Sequence, residues 1–159
     1  KNENYSSNAI KHYNYEYFPT DKIDEIGFYF ACKNNDVYIV NHILNNSPTF
    51  DINKIFTDGN VQQTALSASI RERNKDIVEF LLTKQNIDVN IKSYLLIEGL
   101  DDDDDDDDND NENADYEAVQ SYKIEKSPLH IAVEQGNIDA VRLLLENKNI
   151  DVNSKLIFI

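Results

Sequence analysis

Ser127 and His130 stand three residues apart and are the strongest candidates for nucleophilic chemistry in the sequence. A serine becomes a nucleophile when a histidine accepts its proton and an acid orients that histidine. No orienting acid, oxyanion motif or further ligand accompanies this pair. The sequence also contains no phosphate-binding glycine loop, no zinc-protease motif and no paired cysteines. We therefore predict that the chain is not an enzyme and that it has no catalytic residue, metal ligand or cofactor.

An acidic tract holds the carboxylates that could bind cations. Thirteen of the 30 acidic residues lie within residues 98–117, which contain no lysine or arginine, and eight consecutive aspartates occupy 101–108. The rest of the chain therefore has 17 acidic and 15 basic residues, so most of the net charge of −15 belongs to this tract. Adjacent carboxylates repel one another and have no apolar face to bury. We predict that the tract is one long disordered loop.

The spacing of these carboxylates can be compared with that of a calcium-binding EF-hand loop. Four of them fall at ligand positions 1, 3, 5 and 12 of such a loop: Asp101, Asp103, Asp105 and Glu112. Asp106 stands where the sharp turn requires glycine, and a run of aspartates satisfies almost any acidic template. We therefore predict no specific metal site. Three alternatives stay open for the tract: diffuse attraction of Ca²⁺, capture of a basic partner, and a tolerated low-complexity insertion.

Composition limits the class of protein further. Hydrophobic residues make up 40 % of the 159 residues, which is enough to form a core. No apolar run approaches the about 18 residues that a membrane helix needs, and no signal-peptide apolar region is recognisable. We expect no membrane contact and, because of the acidic balance, no nucleic-acid partner. We expect a cytoplasmic location, with the nucleus as the alternative.

Two segments of the chain repeat each other without gaps. Residues 64–90 align with residues 127–153 at a shift of 63 positions, with 11 identities in 27 positions. The identities include paired leucines, a shared Asn-x-Asp element and a common Asn-Ile-Asp-Val-Asn ending. A more degenerate copy begins at Ala31 and closes with Asp51-Ile52-Asn53. Repeats of this kind indicate stacked supersecondary units that share one core.

The apolar positions of each repeat predict two short helices. In the last repeat, Leu129, Ala132 and Val133 mark one face of the first helix. One face of the second helix carries Ile138, Val141, Leu144 and Leu145. Gly136 suits a left-handed turn between the two helices. Cys32 aligns with Ile70 and Val133, so we predict that it packs in the core as an apolar residue.

The motif residues of the last repeat closely resemble those of the ankyrin repeat. They are Ser127-Pro128-Leu129-His130-Ile131-Ala132, Gly136-Asn137, Val141, Leu144-Leu145 and Asp151-Val152-Asn153. The resemblance extends over roughly residues 28–155, although Ala65, Ser67 and Arg73 replace the Pro, His and Gly of the motif in the preceding repeat. It implies an all-α fold class, an ankyrin-type helical-repeat solenoid with short β-hairpin fingers. It also implies that the His130 imidazole bonds to the Ser127 hydroxyl and braces adjacent repeats.

The resemblance divides the chain into six predicted segments. They are an N-terminal helical flank at 1–27, a degenerate repeat at 28–53, a repeat at 54–90, a finger insertion with the acidic tract at 91–126, a repeat at 127–155, and the truncated start of a next element at 156–159. Asp58-Gly59 is a tight-hairpin pair in the first finger. Residues 94–97 and 122–124 flank the acidic tract, and they either pair as lengthened finger arms or adjoin a disordered loop.

The resemblance also implies a function, which is the binding of a protein partner without chemistry on that partner. We expect the contacts on the concave face and the fingers. The contact positions carried over from the family are Lys33, Asn34, Asp58, Gly59, Gln63, Arg71, Glu72, Lys126, Glu134 and Gln135. We expect a monomer that forms part of a longer repeat array. One alternative is that residues 98–117 act as a polyanionic loop that captures basic partners or weakly buffers Ca²⁺, and another is a regulatory role beside a catalytic domain elsewhere.

Overall fold

The computed structural model describes residues 20–97 and 122–158, which contain six helices and five strands in a repeating order. The helices are α1 (Thr20–Lys33), α2 (Val37–Asn46), α3 (Ala65–Arg71), α4 (Lys75–Leu82), α5 (Pro128–Glu134) and α6 (Ile138–Glu146). The strands are β1 (Ile55–Asp58), β2 (Val61–Thr64), β3 (Ser93–Ile97), β4 (Tyr122–Lys126) and β5 (Ile157–Phe158). The helix pairs α1/α2, α3/α4 and α5/α6 are named units 1, 2 and 3 below.

The helices pack in two layers. The first helices of the units form an inner layer in which α3 contacts both α1 and α5, and the second helices form an outer layer in which α4 contacts both α2 and α6. Ile43, Leu81 and Leu144 occupy equivalent positions in the outer layer, and all three side chains are buried. Helices of seven to nine residues are marginal alone, so this shared core must stabilise units 2 and 3.

A left-handed residue joins the two helices of each unit. Asn35, Arg73 and Gly136 stand at this position with φ values of 58°, 61° and 58°. Glycine and asparagine tolerate this conformation, whereas arginine adopts it at a cost in backbone strain. The predicted helix–turn–helix pattern is therefore confirmed, including its turn at Gly136.

The fingers form one continuous antiparallel sheet with the strand order β1-β2-β3-β4-β5. Gly59, with φ 61°, follows β1 at the tight turn of the first finger, as the sequence predicts. Strands β3 and β4 pair over five residues, so the flanks of the acidic tract are lengthened finger arms. The helical solenoid with hairpins is confirmed, but the all-α class is not, because the fingers of the described residues join into this sheet. The acidic tract at 98–117 lies outside the described residues.

Three residues predicted for the core of unit 3 are exposed. Val133, Ile138 and Leu145 have exposed fractions of 63 %, 72 % and 53 %. That part of the prediction is wrong. Val133 is exposed because no further unit among the described residues packs beyond unit 3, whereas Ile138 stands at a position that is exposed in unit 2 as well, where Lys75 occupies it. Cys32 is fully buried, as predicted. The predicted boundary after residue 27 falls inside α1, and the segment boundaries stay predictions.

Candidate functional site

A polar network connects the first finger with the inner helices of units 1 and 2. The Asp58 carboxylate accepts hydrogen bonds from the Tyr29 hydroxyl at 3.0 Å and from the Lys33 ammonium at 2.6 Å. The Tyr29 oxygen accepts a hydrogen bond from Nε2 of Gln63 at 2.9 Å. Oε1 of Gln63 in turn accepts from Nε of Arg71 at 3.3 Å. The network therefore runs from α1 through both strands of the finger to the end of α3.

Burial and charge set the protonation states within the network. Burial raises the pKa of Tyr29 to about 12; the hydrogen bond from Gln63 opposes this rise and the contact with Asp58 adds to it. The hydrogen bond from Lys33 lowers the pKa of Asp58, and the bond from Tyr29 acts in the same direction. At neutral pH the network therefore contains a neutral phenol, a carboxylate and an ammonium group.

Tyr29 is the centre of this network and is missing from the residues predicted from the sequence. The residue is 3 % exposed, and its ring stacks on Phe56 of β1 with ring centroids 4.7 Å apart. Tyr29 precedes Lys33 by four residues on α1, and residues at that spacing share a helix face. That spacing is the signal in the sequence that points to Tyr29.

A second polar contact repeats the arrangement in unit 3. The Lys126 ammonium at the end of β4 lies 2.6 Å and 2.8 Å from the two carboxylate oxygens of Glu134 on α5. Glu72, at the end of α3, lies 3.9 Å from the Lys33 ammonium and extends the first network. Seven of the ten predicted contact residues thus fall into these two groups.

The other three predicted contact residues lie outside both groups. Gly59 forms the turn of the first finger, and Asn34 is exposed just after α1. Gln135 caps the end of α5, and its backbone carbonyl accepts a hydrogen bond from the Arg73 guanidinium of unit 2. The described contacts give Asn34 and Gln135 no role in the polar network.

One row of paired residues crosses the sheet beside the polar network. The row is Asp58, Val61, Leu95, Ile124 and Phe158. Paired residues project from the same side of a sheet, so the row lies on the side where Asp58 meets α1. Val61, Leu95 and Ile124 are half-buried, and Phe158 is 67 % exposed. This side of the sheet and helices α1, α3 and α5 are named the inner face below.

Ser127 and His130 form a local helix cap. The Ser127 hydroxyl lies 2.7 Å from Nδ1 of His130, the backbone N–H of Ser127 donates to the same nitrogen at 3.3 Å, and the backbone N–H of His130 donates to the hydroxyl at 3.4 Å. The predicted hydrogen bond is confirmed. These contacts lie at the start of α5, so a role in bracing adjacent repeats stays a prediction. A cap of this kind satisfies backbone donors that the first turn leaves without partners.

The remaining reactive residue types give no site in the described part of the chain. Cys32 is buried, and this burial raises the pKa of its thiol well above the ordinary value, which keeps the thiol protonated and unreactive. Residues 20–97 and 122–158 contain no cluster of three or more histidine, cysteine or acidic residues that could hold a metal ion. Within those same ranges, every helix is too short or too polar to cross a membrane.

Comparison with protein families identifies two matching regions. Residues 4–93 match a family model described as ankyrin repeats in three copies, and residues 125–155 match the model of the single ankyrin repeat. The first match covers more than half of the chain and begins before the first predicted repeat. Ankyrin repeats are generally protein–protein interaction modules and are typically non-catalytic. A comparison with curated proteins finds no match.

Proposed function

The chain belongs to the ankyrin-repeat family, and on that premise we propose that it binds a protein partner through its inner face, which corresponds to the concave face and fingers of the family. The ten residues Lys33, Asn34, Asp58, Gly59, Gln63, Arg71, Glu72, Lys126, Glu134 and Gln135 are the proposed contact positions. Gln63 is 3 % exposed, so its contribution is to hold Tyr29 and Arg71 in place. The protein acts by complementarity of shape and charge and without catalysis. It works as a monomeric module in the cytoplasm, with no nucleic-acid or membrane partner.

The observation that carries this proposal is the row across the sheet beside the polar network. The three equivalent finger positions change from charged to apolar along the array, from Asp58 through Leu95 to Phe158. Half-buried apolar residues next to ordered polar groups are typical of the centre and rim of a protein interface. A rigid sheet also lowers the entropy cost of ordering such a surface on binding.

Arg71 supplies a further argument for this surface. Its guanidinium contacts the neutral Gln63, whereas Lys33 and Lys126 each contact a carboxylate. Arginine retains several N–H donors after one such bond, and it binds carboxylates strongly in fork geometry. An acidic side chain of the partner therefore fits beside Arg71. Apolar side chains of the partner next to it then contact the apolar residues of the row across the sheet.

Affinity capture followed by quantitative binding tests this function. The protein captured by the intact chain is titrated against the intact chain, the Arg71→Glu variant and the Arg142→Glu variant. Arg142 is an exposed residue of α6 in the outer layer, so its reversal is a matched control. We expect Arg71→Glu to weaken binding about tenfold or more, and Arg142→Glu to leave it unchanged.

Deletion of residues 98–117 separates this function from the polyanionic alternative. If the inner face binds the partner, the deletion preserves binding and the affinity responds weakly to salt. If the deletion abolishes binding while Arg71→Glu has no effect, the acidic tract is the functional element and the inner-face proposal is wrong.

A further inference from the structure

The finger sheet and the inner helices meet at a corner in each unit. In unit 1, the Tyr29 ring of α1 stacks on Phe56 of β1 at this corner, with ring centroids 4.7 Å apart. In unit 3, His130 of α5 and Leu156, just before β5, line one groove. In both units, a side chain of the first helix therefore lies beside a side chain of the chain segment that enters the next strand.

The helix position at this corner holds serine in unit 2. Ser67 of α3 stands six residues before the left-handed Arg73. Tyr29 stands six residues before Asn35, the left-handed residue of unit 1. Ser67 also aligns with His130 at the shift of 63 positions that relates units 2 and 3. A small hydroxyl side chain thus replaces a ring at this position.

The strand position at the corner also holds serine in unit 2. Ser93 of β3 pairs with Lys126 of β4. Phe56 pairs with Gln63 of β2 in the same way, and Gln63 aligns with Lys126 at the same shift of 63 positions. Ser67 and Ser93 therefore face each other across the corner of unit 2, where unit 1 has two aromatic rings.

The Ser93 hydroxyl is buried and has no hydrogen-bond partner within residues 20–97 and 122–158. Ser93 is 3 % exposed and projects from the same side of β3 as Leu95, toward the inner face. Burial of a hydroxyl without a hydrogen bond costs free energy, so nearly all buried polar groups in proteins bond to the protein or to ordered water. The Ser93 hydroxyl therefore marks a polar position that needs a ligand.

The Ser67 hydroxyl has capacity for a further hydrogen bond. It accepts from the Thr64 hydroxyl at 3.4 Å, and the Thr64 hydroxyl accepts from the Ser67 backbone N–H at 3.3 Å. A serine hydroxyl has one proton to donate and two lone pairs that accept, so this long contact uses only part of its capacity. Two buried hydroxyls thus adjoin the same corner and do not bond to each other.

We propose that the corner of unit 2 is a hydration site, in which one ordered water molecule bridges the hydroxyls of Ser67 and Ser93. A buried water forms about two to four hydrogen bonds to polar groups that otherwise lack partners. Here it accepts from one hydroxyl and donates to the other. The water joins β3 to α3, whereas in unit 1 the Tyr29 hydroxyl joins α1 to the first finger directly, through Asp58 and Gln63.

Burial and chemistry favour water over a larger or charged ligand at this corner. Thr64, Ser67 and Ser93 are at most 3 % exposed, so a side chain of a partner protein cannot reach their hydroxyls. Hard cations take about six or more oxygen ligands, many of them carboxylates, whereas these three residues offer only neutral hydroxyls. A single water needs no more than the polar partners that Ser67 and Ser93 supply.

A crystal structure of the intact chain, at a resolution that shows ordered water, tests the proposal directly. We expect a water oxygen within about 3.2 Å of the hydroxyl oxygens of both Ser67 and Ser93. A direct hydrogen bond between the two hydroxyls would overturn the proposal. A bond from Ser93 to another part of the chain, or a corner without an ordered water, would overturn it as well.

Urea unfolding of alanine variants tests the same bridge in solution. Ser67→Ala and Ser93→Ala are measured alone and together. We expect each single substitution to raise the equilibrium constant for unfolding about fivefold, because each removes a ligand of the water. The second substitution should then change it by no more than about twofold, since the bridge is already lost. A lower unfolding constant for Ser93→Ala would show that its hydroxyl is unpaired, and effects that simply multiply would exclude a shared water.

Ser69→Ala is the matched control for these variants. Ser69 lies on the same helix and is as buried as Ser67, but its hydroxyl donates to the Ala65 carbonyl at 2.8 Å and lies 3.4 Å from the Cys32 carbonyl of unit 1. We expect its effect to multiply with that of Ser93→Ala. Coupling of Ser93 to Ser69 as strong as its coupling to Ser67 would contradict the bridge. None of these measurements uses a binding partner, so the outcome is independent of the proposed partner binding.

Discussion

Units 2 and 3 have closely similar sequences and different surroundings. Their 27 aligned positions share 11 identities, and both units form two helices joined by a left-handed residue. Ile70 of unit 2 is nevertheless fully buried, whereas the equivalent Val133 of unit 3 is 63 % exposed. The helical pattern is thus a property of each repeat, whereas burial of the repeat's outer side depends on the neighbour that packs against it.

The largest expected difference in stability is between alanine substitutions at the equivalent positions Ile70 and Val133. We expect Ile70→Ala to lower the free energy of unfolding by about 2–5 kcal/mol, because it leaves a cavity between units. Val133→Ala should change it by less than about 0.5 kcal/mol, since the side chain is mostly in solvent. Urea unfolding of both variants measures the difference, and equal losses would show that the two positions are equally buried.

Leu144→Ala is a control for unit 3. It shows whether Val133 is exposed because no neighbouring unit covers it or because unit 3 is incompletely folded. Leu144 is fully buried between the two layers, as Leu81 is in unit 2. We expect a loss of about 2–5 kcal/mol for this variant as well. A loss below about 0.5 kcal/mol would mean that unit 3 is not folded as described.

The asparagines Asn137 and Asn153 extend the comparison to hydrogen bonds between neighbouring units. Asn137→Ala removes both the cap of α6 and the bond to unit 2, so we expect a loss of about 1–3 kcal/mol. Asn153→Ala removes an exposed amide and should change stability by less than about 0.5 kcal/mol. Thermal unfolding of the two variants tests this, and a similar loss in both would show that Asn153 is already engaged.

Substitutions at the turns between helices should have smaller effects on the free energy of unfolding, which urea unfolding measures. Gly136→Ala places a side chain at φ 58° with only an ordinary contact of 3.9 Å nearby, so backbone strain alone should cost about 1–2 kcal/mol. Arg73→Gly relieves the same strain but loses the bond to the Gln135 carbonyl, so the net change should stay within about 1 kcal/mol. A large loss for Arg73→Gly would mean that this bond between units outweighs the strain.

The smallest effect concerns the pH dependence of the contact between Tyr29 and Asp58 of the first finger. The pKa of Tyr29 is about 12 in the folded chain against 10.0 in the unfolded one, so its stabilising contribution is complete below pH 10 and is lost between about pH 10 and about pH 12. Between about pH 9 and about pH 11, the intact chain should lose about 1 kcal/mol more than the Tyr29→Phe variant. The chain has nine tyrosines, so the difference between the two proteins is the relevant measurement. Identical pH profiles would show that Tyr29 is not buried against Asp58.

The sequence predicts the helices and the family well because both depend on short-range patterns. The i, i+3, i+4 spacing around Leu144 and the turn at Gly136 lie within one repeat. The continuous sheet is harder to predict, because Val61 and Leu95 pair across a whole unit and neither strand reveals its partner.

Prediction of the candidate site is limited in the same way by contacts between residues that are distant in the sequence. The family pattern points to Lys33, Asp58, Gln63 and Arg71, and the structure brings these four residues into one network. Tyr29 is missed because its hydroxyl partners come from a distant finger. Exposure of Val133 is missed because it depends on a neighbouring unit, which the repeat's own sequence does not specify.

Hydrogen exchange on the intact chain measures the difference between units 2 and 3 most directly. Helices α3 and α5 both have seven residues and end in the same left-handed turn, so coverage by a neighbouring unit is the main difference that should affect the protection of their last amides. We predict that the amides around Ile70 exchange at least about tenfold more slowly than those around Val133. Equal protection of the two helices would contradict the view that the side of unit 3 around Val133 is open to solvent.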